Sequence, residues 1–158
     1  PHPVADRVRP TSARVREAMF SLVGHDLSGL RVLDAFGGSG LLGLEAWSRG
    51  ASVVVVEQDP SIARTIAQNV AEIGASVEVR VGDVRAVGPT LGGFDVVLID
   101  PPYREAPGPI LASLAGCARS VVVLESDAAV AAPDAPPGWA LDRRRTYGGS
   151  ALAVYRSG

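Results

Sequence analysis

The stretch VLDAFGGSGLLGLE, residues 32–45, decides the fold. A short apolar run reaches Asp34, a loop of glycines follows, and LLGLEAWSRG then has helical spacing, with Gly50 as its C′ residue. Inside it, Gly38-Ser39-Gly40-Leu41-Leu42-Gly43 shows the G-x-G-x-x-G spacing that lets backbone approach a nucleotide-type ligand between a strand and a helix. The next strand, SVVVVEQD, ends at Glu57, an acid placed to accept hydrogen bonds from a ribose diol.

Outward from this unit the same rhythm repeats. SVVVVEQD is too continuously apolar to be half exposed, which points to a parallel sheet covered on both faces. PSIARTIAQNVAEIG is a helix with Pro60 in its first turn and Gly74 after its end. SVEVRVGD, FDVVLID and SVVVLES read as further strands, with GPILASLAGCA a helix between the last two. Right-handed βαβ units of this kind build an open, doubly wound α/β sheet. WALDRRRTY and ALAVYR flank Gly148 and Gly149, so the parallel sheet is predicted to finish in an antiparallel hairpin. Ahead of everything, TSARVREAMFSLV predicts a helix capped by Thr11 or Ser12, after an extended lead-in over residues 1–10.

Three successive strand ends carry acids: Asp34, Glu57 and Asp83. A carboxylate at Asp34, directly before the glycine loop, is awkward beside a pyrophosphate but suits an ammonium or sulfonium group. Asp83 is placed to accept from an adenine amino group. The three together favour S-adenosylmethionine, which is cationic and has no phosphate, over a nicotinamide dinucleotide. The competing reading is that Asp34 or Asp83 merely caps a following turn.

The fourth strand ends in Asp100-Pro101-Pro102-Tyr103. Two prolines remove two backbone donors and fix two φ angles, which holds neighbouring acceptors rigid. The Asp100 carboxylate and the Pro101 carbonyl can each accept an N–H from an exocyclic amine, drawing its lone pair out of ring conjugation. Tyr103 offers a face on which a flipped-out base can stack. This chemistry orients a nucleophile for in-line methyl transfer and calls for no metal.

The bulk properties set limits. At 158 residues the chain forms one domain, 1–158, with room for a substantial core. No apolar run approaches the roughly 18 residues of a membrane span, so no membrane partner and a cytoplasmic setting are expected. A lone Cys117 excludes an internal disulfide and a cysteine-rich zinc site, and His2 and His25 have no partner acid at useful spacing. All fifteen basic residues are arginine. Their clustering at Arg7, Arg9, Arg14 and Arg16 and at Arg143–Arg145 offers bidentate partners for phosphate, against the alternative of a solvated charged face.

RPTSARVREAMF, VLDAFGGSGLLGLEAWSRGA, VVEQD, IDPPY, VVLES and YGGSALAVY together resemble the bacterial enzymes that methylate guanine N2 in 16S ribosomal RNA of the small subunit. The resemblance implies the Rossmann-like class I methyltransferase fold, a seven-stranded, mostly parallel sheet. It implies that Asp34, Gly38, Gly40, Glu57 and Asp83 hold S-adenosylmethionine, with Phe36, Ser39, Gln58 and Val84 beside them, and that Asp100 to Tyr103 hold the guanine. Arg9, Arg14 and Arg16 would contact structured RNA, either 16S ribosomal RNA or a small-subunit assembly intermediate. Family members carry a basic segment before RPT, so residues 1–10 are expected to be the remnant of an RNA-contacting segment. They also often have alanine where Gly37 stands, a harmless difference. Competing readings are a DNA or other nucleobase amino-methyltransferase, which needs a target-recognition region this length does not accommodate, and a protein-glutamine methyltransferase, which carries asparagine where Asp100 stands. An oxidoreductase leaves the DPPY segment unexplained, and a non-catalytic RNA-binding module leaves the intact acids so.

Overall fold

The computed structural model describes residues 12–158. The elements run α1 (Ala13–Val23), β1 (Arg31–Asp34), α2 (Leu41–Ser48), β2 (Ser52–Glu57), α3 (Pro60–Ile73), β3 (Val77–Val81) and α4 (Val84–Val87), then a 3-10 turn (Gly88–Thr90). After it come β4 (Phe94–Ile99), α5 (Pro107–Ala115), β5 (Ala118–Asp127), β6 (Trp139–Tyr147) and β7 (Ser150–Ser157). Among the described residues the seven strands form one sheet in the order β3-β2-β1-β4-β5-β7-β6. Every pairing is parallel except the two made by β7. The mostly parallel, doubly wound sheet with its terminal hairpin is the predicted architecture.

Two cores follow from the alternation of side chains along each strand. Val32, Val53, Val55, Val96, Leu98 and Val123 meet α1, α2 and α3 on one face. Leu33, Val54, Val56, Val97, Ile99 and Leu124 meet α4 and α5 on the other. The strand β2 is buried on both faces, which is why its sequence is a valine run rather than an alternation.

Helix ends obey local chemistry. The Ser12 side chain accepts from the Val15 amide at 3.2 Å, so Ser12 is the N-cap of α1. Thr11 and Arg9 lie outside the described residues. Asp59 Oδ1 accepts from the Ser61 amide at 2.8 Å ahead of Pro60, and Gly74 closes α3 at φ 76°. The short α4 was not predicted, because four residues are too few to carry a helical period.

The chain winds outward from β1 to β3, then crosses back to place β4 on the other side of β1. Loops leaving β1 and β4 therefore diverge and open a crevice at the carboxyl edge of the sheet. The proline-rich connection before β6 is tied down by Tyr155, whose hydroxyl donates to the Pro133 carbonyl at 2.6 Å. Burial is the main cause that pushes this phenol up to about 12. Arg144 also donates to the Ala128 and Val130 carbonyls at 3.0 and 2.9 Å.

Candidate active site

A cavity of about 1060 Å³ occupies that crevice. Its walls bring together the glycine loop, the ends of β2 and β3, and the DPPY segment. Of the residues predicted to hold a cofactor, Phe36, Gly38, Ser39, Glu57, Gln58 and Asp83 line it, as does Val84. Asp100, Pro101, Pro102 and Tyr103 line the same cavity.

The glycine loop owes its shape to Glu57. One carboxylate oxygen, Oε1, accepts from the Gly38 amide at 2.9 Å; the other, Oε2, accepts from the Asp59 amide at 2.7 Å. Gly38 stands at φ 54°, and a Cβ built there meets nothing closer than 3.9 Å. The loop therefore turns bare backbone toward the cavity, with Glu57 bracing it from the neighbouring strand. Asp83 works similarly: its Oδ1 accepts from the Arg85 amide at 3.0 Å and caps α4. That amide leads the interactions that hold this carboxyl below its usual range.

Asp34 and Gly40, also expected to hold the cofactor, stand behind the residues that line the cavity. Asp34 follows the side-chain parity of Val32, so it points under α2, where it is fully buried. A Cβ on Gly43 would stand 3.5 Å from its Oδ2. Neither oxygen of Asp34 meets a donor in full hydrogen-bonding geometry. Burial first, and the charge of Asp100 second, push its carboxyl well above the usual carboxylate range; the Gly43 and Phe36 amides pull the other way. Gly40 caps α2 at φ 80° and packs on Ile66.

The residues present fit S-adenosylmethionine. Glu57, Asp59, Asp83, Asp100, Glu105 and Glu125 line the cavity, and among the described residues Arg104 is the one basic side chain that does. Such a wall repels a pyrophosphate and suits a ligand that carries positive charge and no phosphate.

Similarity to known proteins follows the same lines. A family described as "Conserved hypothetical protein 95" matches residues 1–156. The chain is 30% identical over 170 residues to Ribosomal RNA small subunit methyltransferase D of Escherichia coli (strain K12), covering 99% of this chain and 83% of that protein. The chain belongs to this family. It is also 31% identical over 160 residues to YlbH of Bacillus subtilis (strain 168), covering 94% of this chain and 87% of that protein. The solved structure of yhhF from Escherichia coli superposes with a TM-score of 0.83 at 27% identity, covering 95% and 89% of the two chains.

In this member of the family, Gly37 is matched by its surroundings. An added Cβ would stand 2.8 Å from Ile66 Cδ1 and 2.9 Å from Val55 Cγ1, so the room of an alanine methyl is already filled. Cavity-lining residues that sequence reasoning did not name include Ser12, Asp59, Arg104, Glu105, Gly149 and Ser150. Ser12 reads as a cap and YGGS as a turn, and a single chain carries no signal for what a turn will touch. Glu125, which reads from sequence as a cleft acid or a cap, lines the cavity and is 4% exposed. Arg14 is exposed on α1 with its guanidinium 5.8 Å from the Tyr147 ring centroid, and Arg16 is half-buried. Among the described residues no helix is long and apolar enough to cross a membrane, and no His, Cys, Asp and Glu group could hold a metal ion.

Proposed function

We propose that the chain transfers a methyl group from S-adenosylmethionine to the exocyclic N2 of a guanine in 16S ribosomal RNA, in the cytoplasm. The observation that carries this reading is the meeting of the DPPY segment and the glycine loop in one acid-lined cavity. Similarity to a protein named as a ribosomal RNA small-subunit methyltransferase supports the substrate class.

Each residue has a derivable task. The Asp100 carboxylate and the Pro101 carbonyl accept the two N–H groups of the amine and turn its lone pair toward the cofactor pocket. Pro101 is buried and its ring fixes φ, so these acceptors are already set before the base arrives. The Tyr103 ring stacks on the flipped base. Bound S-adenosylmethionine supplies a methyl carbon on a sulfonium, and the C–S electron pair returns to sulfur as the C–N bond forms. Asp100 then takes the surplus proton from nitrogen and passes it to water. Arg14 and Arg16, with the arginines of the lead-in, neutralise RNA phosphates around the target. Arg143 and Arg145 stand opposite Val154 and Leu152, which pack on the α1 side of the sheet, so they extend this basic rim along β6.

The test is methyl transfer to under-methylated small subunits, read by mass analysis of the released nucleosides. N2-methylguanosine is expected with the wild-type protein. With Asp100→Ala, turnover should fall by at least about 100-fold while S-adenosylhomocysteine affinity stays within about twofold. Methylated adenine or cytosine, or no transfer at all, refutes the reading; normal turnover by Asp100→Ala refutes the role of the DPPY segment.

A further inference from the structure

The site contains a second acid whose position suits reading the base rather than moving the methyl group. In the parallel register of β4 and β5, Ile99 stands opposite Leu124, so Asp100 and Glu125 are neighbours at the ends of adjacent strands. Leu98 and Val123 both belong to the core under α1–α3, and alternation sends Asp100 and Glu125 off that same face. Both line the large cavity. Glu125 also lines a recess of about 20 Å³ behind Pro101, Pro102 and Tyr103, so it sits where the two cavities meet at the DPPY segment. Glu125 is 4% exposed, and a carboxylate has lone pairs enough to accept from a ligand as well as from the protein.

The nucleobases differ in what they place next to their exocyclic amine. Guanine has a ring N–H, N1–H, beside N2. Adenine has the acceptor N1 beside N6, and cytosine the acceptor N3 beside N4. A carboxylate next to the amine-holding pair therefore accepts from guanine, but faces a lone pair in the other two.

We propose that Glu125 selects guanine, its carboxylate accepting N1–H while Asp100 and the Pro101 carbonyl hold N2. The inference rests on the guanine reading of the site, and it adds a residue that decides which base enters. Rejection of a base lacking the N1 donor should be large, at least about 100-fold, because such a base leaves Glu125 buried and facing another acceptor.

The test uses the whole chain and small subunits assembled from 16S ribosomal RNA ligated from two pieces. The nucleotide that wild-type protein methylates is then either guanine or 2-aminopurine, which keeps the 2-amine and has a bare acceptor at N1. Wild-type protein should prefer guanine by at least about 100-fold. In Glu125→Gln, whose amide can donate to a bare N1, the preference should shrink below about 10-fold through a slower guanine reaction and a faster 2-aminopurine one. Glu125→Ala gives a second reading of the same ratio and should also lose most of the preference. Equal wild-type rates on the two bases overturn the proposal. So does an unchanged ratio in both variants, or an equal loss on both bases, which marks a structural residue. Failure of the underlying guanine reading is distinct: wild-type protein then makes no N2-methylguanosine on ordinary subunits.

Discussion

Tyr103 Oη and Ser150 Oγ lie 2.6 Å apart, joining the loop after β4 to the turn of the β6–β7 hairpin across 47 residues of chain. The aromatic face proposed to stack on the base is thereby held by an element that contributes nothing to the glycine loop. Antiparallel pairing of β7 with β5 brings this about: Ser150 stands opposite Asp127 at the carboxyl edge, so the turn overhangs the cavity. Ser150→Ala should slow methyl transfer by about 10-fold, mostly in the RNA KM, with S-adenosylhomocysteine affinity unchanged. Tyr103→Phe should match it, and the double variant should cost little more than either single one. Steady-state kinetics on small subunits check this.

Glu57 braces two amides at once, so its loss should be felt as loop disorder as well as a lost ligand contact. Glu57→Ala should weaken S-adenosylhomocysteine binding by at least about 10-fold and lower stability by about 1–3 kcal/mol, the cost of leaving the Gly38 and Asp59 amides unmet. Calorimetric titration and denaturant melts give the two numbers. Undiminished affinity contradicts the bracing role.

Two glycines should respond to alanine with opposite signs. At Gly43 the new Cβ would stand 2.5 Å from Val55 Cγ2, beneath the start of α2, and Gly43→Ala should cost about 1–3 kcal/mol. At Gly116, with φ −66° and nothing within 4 Å, the same change should be neutral or stabilise by up to about 1 kcal/mol. Thermal melts of the two variants check both.

Asp34 gives the protein a pH dependence of known sign. Its carboxyl titrates well above the usual carboxylate range, chiefly because it is buried. Between the unfolded and folded values the native state binds more protons than the unfolded one, so stability falls as pH rises. The native advantage is whole below pH 3.8 and is lost as pH passes through the folded value. Asp34→Asn, which cannot ionise, should escape this loss. Its melting temperature relative to wild type, both without ligand, should climb as pH is raised from about 4 toward neutrality. A difference that stays flat with pH contradicts the assignment.

Much of the fold was legible because it depends on local pattern. The valine run of β2 declared burial on both faces, Pro60 and Gly74 marked the ends of α3, and Gly148-Gly149 marked a hairpin. The spacing of Gly38, Gly40 and Gly43 was legible too, yet its members divide the work: Gly38 faces the cavity, Gly40 packs on Ile66 and Gly43 lets α2 lie against Val55. Asp34 reads as a cofactor residue because an acid directly before the glycine loop suits a sulfonium or ammonium group. That its side chain lies beneath α2 follows from strand parity, which no motif states.

By itself, then, the sequence determined the alternating elements, the acids at the ends of β1, β2 and β3, and the rigid acceptors of the DPPY segment, all products of spacing and backbone chemistry within a few residues. Tertiary structure alone decided which of them meet. The crossover from β3 to β4 opened the crevice, the register of β4 and β5 set Glu125 beside Asp100, and the return of β7 carried Ser150 to Tyr103. Those relationships span tens of residues and arise from strand pairing and burial, which no local pattern encodes.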